Sequence, residues 1–219
     1  MTLKEIAIGA LVAGIAAALV AGVVHFLLLQ PVLLEAELYE AGGVGPDGHA
    51  HVHGLGGAAR GFWTLAFYAL VYVGWGLVLL AAMAAADERF GRLTDARRGA
   101  LWGLAGFVAV ALAPAAGLAP ELPGTVAAEL APRQIWWFFC VGATAAALGL
   151  LAYGRAPLAW GAGVLLLLAP HLIGAPRAEG YGGLVPAELA ADFAARSLFA
   201  AAVAWAVLGL TAGLMRARA

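Results

Sequence analysis

The sequence predicts an all-α integral membrane bundle of six transmembrane helices, both termini cytoplasmic, with the fifth helix short or broken. Three observations predict it. Apolar residues make up 64% of the 219-residue chain and charged residues only 11%, where soluble globular domains carry about a quarter charged. The apolar residues gather in runs long enough to cross a hydrocarbon core of roughly 30 Å at about 1.5 Å per residue. The cations, finally, sort to one side of those runs, as the positive-inside rule requires. One transmembrane domain, residues 1–219, accounts for the whole chain, and lipid is its first partner.

Residues 6–29 form one uninterrupted apolar run, longer than the h-region of a signal peptide, and read as a retained first span. Residues 30–60 follow as an external loop. The second span covers 62–86, and the third covers 99–113, where Pro114 stops it. The fourth covers 135–153 and the sixth 189–215. The fifth, 157–173, meets Pro170 near its end, so it is either short or continues kinked through Ile173.

With six spans, Lys4, Arg89, Arg92, Arg97, Arg98, Arg155, Arg216 and Arg218 fall on the cytoplasmic side. Glu35, Glu37, Glu40, Asp47, Glu121, Glu129, Glu179, Glu188 and every histidine fall on the other. Five spans would lose that sorting. Aromatic residues mark the interfaces: Phe62, Trp63, Trp136, Trp137, Phe138 and Phe139 outside, Trp102, Tyr153 and Trp160 inside. Small residues recur at helical spacing, as in Gly9 with Ala13, Ala10 with Gly14 and Gly99 with Gly103, and let backbones approach closely in lipid. Two stretches resemble each other: Ala113-Pro114 through Gly117, Pro120, Glu121 and Gly124 to Glu129-Leu130-Ala131, and Ala169-Pro170 through Gly174, Pro176, Glu179 and Gly180 to Glu188-Leu189-Ala190. They suggest a parallel hairpin repeat, with chance similarity in an alanine-rich chain as its rival.

The chemistry points to metal. His49, His51 and His53 alternate in the glycine-rich part of the loop, downstream of Glu35 and Glu37. Imidazole suits divalent transition metals, and no packing demand explains three imidazoles in a solvated segment. Protonation should weaken such capture below roughly pH 6. His25 and His171 stand where the first and fifth spans reach the outer interface, with ligand or pathway duty weighed against plain hydrogen-bonded structure. Pro170, Gly174 and Pro176 break the fifth helix and expose backbone that must line a cavity or be buried. Glu121 and Arg133 lie in the second outer connection, after the third span, and Asp192 and Arg196, four apart, can pair as a structural ion pair.

Several classes are excluded. The only lysine is Lys4 and no Walker loop exists, so the chain does not hydrolyse nucleotide. No hydrolase constellation is present, the chain is not read as an enzyme, and no cofactor is bound permanently. The lone Cys140, within an apolar run, forms no internal disulfide. The mixed-sign loop from Asp87 to Arg98 is explained by topology without nucleic acid.

Taken together, Gln30-Pro31 with Glu35-Ala36-Glu37, the histidine loop, Pro120-Glu121-Leu122-Pro123-Gly124, Arg133-Gln134-Ile135-Trp136-Trp137 and Pro170-His171-Leu172-Ile173-Gly174-Ala175-Pro176 resemble the CbtA family of proposed bacterial cobalt transporter subunits. The resemblance covers nearly the whole chain. It implies cobalt(II) uptake across the inner membrane, linked to cobalamin biosynthesis, and a small single-span CbtB-like partner with a histidine-rich tail; a homo-oligomer is a further expectation. The leading hypothesis is a transport subunit in which His49, His51, His53, Glu35 and Glu37 collect the ion and His171, with His25, receives it. Nickel or zinc is the closest competing cargo. A membrane-bound metal sensor or assembly factor without transport is the alternative of a different class.

Overall fold

A computed structural model describes residues 2–40, 57–91, 94–178, 180 and 182–218. Among these residues the chain is helical with no strand: α1 (Leu3–Glu40), α2 (Gly57–Phe90), α3 (Ala96–Ala115), α4 (Leu130–Tyr153), α5 (Pro157–Ile173) and α6 (Ala187–Ala217). All but α5 are long and apolar enough to cross a membrane. With 17 residues, α5 reaches only about 25 Å. Large apolar side chains such as Phe67, Leu70, Leu165 and Leu172 stand exposed, as lipid-facing residues of a bundle would.

The helices outrun the apolar runs. The 38 residues of α1 extend about 57 Å, well beyond a bilayer core of roughly 30 Å. Residues 30–60, expected as a loop, are therefore helical over Gln30–Glu40 and again from Gly57. Hydropathy marks where a helix leaves lipid, not where its hydrogen bonds stop. Pro31 is tolerated because the turn before it, His25–Leu29, widens to a π-helix, with the Gln30 N–H reaching back to the His25 carbonyl. The same device precedes Pro114: Val108–Leu112 is π-helical and the Ala113 N–H bonds the Val108 carbonyl. A proline ring collides with the carbonyl four residues back, and a wider turn moves that carbonyl aside. Pro114 accordingly sits inside α3 instead of stopping it, and α5 runs through Pro170 to Ile173.

The chain divides into two compact units. The first comprises Met1–Pro31, His49–Leu104 and Phe199–Ala219. A capping box starts α1: the Thr2 side chain accepts from the Glu5 N–H while the Glu5 carboxylate accepts from the Thr2 N–H at 2.7 Å. Every buried residue of Leu3–Val24 is glycine or alanine. Small side chains let α2 lie against it antiparallel, so that a Cβ on Gly14 would fall 2.5 Å from Val73 Cα and one on Gly76 would fall 3.0 Å from the Ala10 carbonyl. α3 and α6 cross through Gly99 and Gly103 against Gly209 and Gly213, and Trp75 meets Trp205 with ring centroids 5.3 Å apart. This alternation gathers Lys4, Arg89, Arg97, Arg98, Arg216 and Arg218 at one end of the unit, with His25 towards the other.

The second unit comprises Val32–Gly48 and Ala105–Leu198. Here α4 and α5 pack antiparallel, Ala147 and Leu151 lying beside Gly163 and Trp136 beside Pro170. A small core joins the end of α1 to the two connecting loops: Val32, Ala36, Leu122 and Val185 are buried, with Tyr39 and Phe193 packed against them. The two loops of similar sequence lie side by side, Thr125 and Gly183 forming an antiparallel bridge through Val126 N–H to Gly182 O and Leu184 N–H to Gly124 O. This mini-core makes Gln30–Glu40 helical beyond the apolar run, because Val32 and Ala36 share one face.

Candidate functional site

The sequence singled out an arm and two stations. His49, His51 and His53 lie outside the described residues. Glu35 is exposed and Glu37 half-buried on the helical end of α1. Two residues apart on a helix they point to different faces, so the two carboxylates do not converge. Glu40 does meet another segment: its Cγ lies 3.1 Å from where a Cβ on Gly124 would stand, at a turn with φ +78° that glycine alone adopts readily.

His25 belongs to the first unit and opens the π-turn of α1. Its Nδ1 lies 3.0 Å from the Tyr68 hydroxyl, and the two rings meet edge to face at 5.6 Å. One ring nitrogen is thereby engaged. Tyr68 was not singled out by the sequence, being one aromatic residue among many in α2. Within a membrane span such side-chain hydrogen bonds contribute about 0.6 kcal/mol. Tyr68→Phe should therefore lower the thermal midpoint in detergent only slightly, and a drop matching that of a core disruption would contradict this assignment.

His171 belongs to the second unit, exposed in the last turn of α5. Pro170, inside the helix, is almost wholly buried. Its carbonyl accepts the Gly174 N–H at 3.0 Å and the Trp136 Nε1–H at 3.1 Å. Gly174 ends the helix at φ +87°, ψ 146°, a conformation open to glycine and strained for other residues, and Pro176 follows in the extended exit. The Trp136 ring meets the His171 ring at 6.1 Å and 68°. Trp136 was expected as an exposed interfacial aromatic, as Phe62, Trp63 and Phe138 are. It is instead 5% exposed, because its indole fills the gap beside the proline and finds a backbone acceptor there.

The flanking charges are paired. Arg133 holds Glu121 at 2.6 Å and Arg196 holds Asp192 at 2.7 Å. Among the described residues no three His, Cys, Asp or Glu side chains come together as a closed metal cage.

A protein-family model described as "Probable cobalt transporter subunit (CbtA)" matches residues 3–217. No curated protein and no solved structure matches the chain.

Proposed function

The chain belongs to the CbtA family of probable cobalt transporter subunits, and from that premise we propose that it carries cobalt(II) inward across the bacterial cytoplasmic membrane, supplying cobalamin synthesis. It is a multi-pass helical membrane protein and no enzyme. The observation that carries the reading is the exposed His171 imidazole, next to the buried Pro170 in the last turn of α5, the shortest of the six helices. A proline inside a helix leaves a backbone carbonyl without its usual N–H partner, which at membrane depth is tolerated where the backbone lines a pathway or is buried in protein.

His49, His51 and His53 with Glu35 and Glu37 collect the ion outside, and His171 receives it, with His25 as a further station. The gathering of Lys4, Arg89, Arg97, Arg98, Arg216 and Arg218 at one end of the first unit supports a cytoplasmic placement for that end. Cobalt stands below nickel and copper in the usual affinity order, so imidazole alone does not select it; selectivity comes from geometry and from which metal is available. As a subunit the chain works with a partner, a small single-span CbtB-like protein with a histidine-rich tail; nickel or zinc is the closest competing cargo, and metal competition during uptake decides between them.

The test is initial cobalt uptake in cells whose own copy is deleted. Removing His49, His51 and His53 together, or His171 alone, should reduce uptake at limiting cobalt about tenfold. Wild-type uptake by both variants would overturn the reading. In liposomes, cobalt binding without entry into the lumen would identify a sensor in place of a transporter.

A further inference from the structure

We infer that Trp136 is a positioning residue for His171: its indole N–H fixes the peptide that carries the imidazole, and so sets how tightly the ion is captured. This rests on the reading of His171 as an ion station. Pro170 offers no N–H, which leaves α5 one hydrogen bond short at the turn that leads into His171. The 170 carbonyl belongs to the peptide group joined to the His171 nitrogen. A donor from α4, held 3.1 Å from that oxygen, therefore fixes the peptide plane and with it the direction of the His171 side chain. The same indole then meets the imidazole edge-on at 6.1 Å.

The indole is itself held. A Cβ on Gly117 would lie 2.8 Å from Trp136 Cη2 and 2.8 Å from the Ala175 side chain, so the ring lies close against the loop after α3, which also touches the exit from α5. With 5% exposure it has no access to headgroups, unlike Trp63 at 63%. Its donor is spent on the one carbonyl adjacent to the histidine. Partners that orient a metal-binding histidine govern affinity even though they never touch the ion.

Trp136→Phe removes the N–H and keeps the buried aromatic body; Gly117→Ala presses on the six-membered ring at Cη2 and Cζ2. Both are read as initial cobalt uptake against cobalt concentration, per amount of folded protein, in cells lacking their own copy. Each should raise the half-saturating concentration about tenfold with the maximal rate unchanged. In a His171→Ala background the same changes should shift half-saturation by less than about twofold, because the group they orient is gone. An undiminished effect in that background means that Trp136 acts on the fold at large, and overturns the proposal. Wild-type half-saturation for Trp136→Phe, while His171→Ala alone weakens capture, overturns it too and leaves His171 standing. Wild-type behaviour of His171→Ala removes the premise and the proposal together. If Trp136→Phe is not recovered folded, Gly117→Ala carries the comparison.

Discussion

Gly209→Leu should leave almost no folded, monodisperse protein on extraction into detergent, where Gly74→Leu should be recovered like the wild type. The difference lies in what a new side chain meets. A Cβ on Gly209 would collide with the Gly99 carbonyl and stand 2.5 Å from Gly103 Cα and N. Reciprocally, one on Gly103 would collide with the Trp205 carbonyl and stand 2.9 Å from Gly209 Cα. Every obstacle is backbone, so no rotamer change relieves it; α3 and α6 would have to move apart. In lipid, where no hydrophobic gain holds helices together, close backbone packing is the main attraction between them, and separation forfeits it along the whole crossing. Overpacking alone costs about 1–3 kcal/mol in a soluble core, and here the lost packing adds to it. At Gly74, on the neighbouring α2, a Cβ meets nothing within 4 Å. Equal yields and thermal midpoints for the two variants would show that the crossing is looser than described.

The same residues explain what could be read in advance. Six apolar runs are six helices, because span length and hydropathy answer to the bilayer alone. The stripe of Gly9, Ala13, Ala10 and Gly14 was legible for the same reason, small residues at helical spacing having one use in lipid. Gly209 and Gly213 follow the same spacing as Gly99 and Gly103, and their pairing became visible only when the two helices were set against each other. Helix ends were misjudged wherever tertiary packing extends a helix past its apolar run. Gln30–Glu40 is the clear case, since Val32 and Ala36 face Leu122 and Val185, residues some ninety and more than a hundred positions away that no local pattern announces. Pro114 reads as a stop because a proline's cost is local, yet a π-turn before it absorbs that cost, as another does before Pro31. At the candidate site, His171 and Pro170 were visible as chemistry, whereas Trp136 was hidden by its resemblance to an interfacial belt. Glu35 and Glu37, two residues apart on a helix, present their carboxylates to different faces, which only the helical end of α1 makes visible.

The buried carboxylate of Asp87 supports the second large effect. It ends α2 at 7% exposure and accepts three hydrogen bonds, from Thr94 Oγ1 at 2.7 Å, from the Thr94 N–H at 3.1 Å and from Arg216 Nε at 3.0 Å. Asp87→Ala strands the Arg216 guanidinium, whose side chain is 13% exposed, and leaves the Thr94 hydroxyl and N–H without this acceptor at 2% exposure. Removing one partner from a buried pair costs about 3–5 kcal/mol, because the other charge stays behind uncompensated. The thermal midpoint in detergent should fall steeply, and Asp87→Asn should fall less, since the amide oxygen still accepts from Thr94. Thr94→Val, which keeps its backbone N–H, should cost only about 1 kcal/mol. The contrast is Asp192→Ala: that carboxylate faces Arg196 across one helical turn with side chains 41% and 37% exposed, and such pairs contribute about 0.3–0.5 kcal/mol. Salt separates the two further, weakening the exposed pair and leaving the buried one nearly unchanged. If Asp87→Ala and Asp192→Ala lower the midpoint equally, burial is not what gives Asp87 its hold on Arg216. A larger effect at Asp87 would instead identify it as the group that ties the end of α6 to α2 at the cation-rich end, where α6 also meets α3 through glycine backbone.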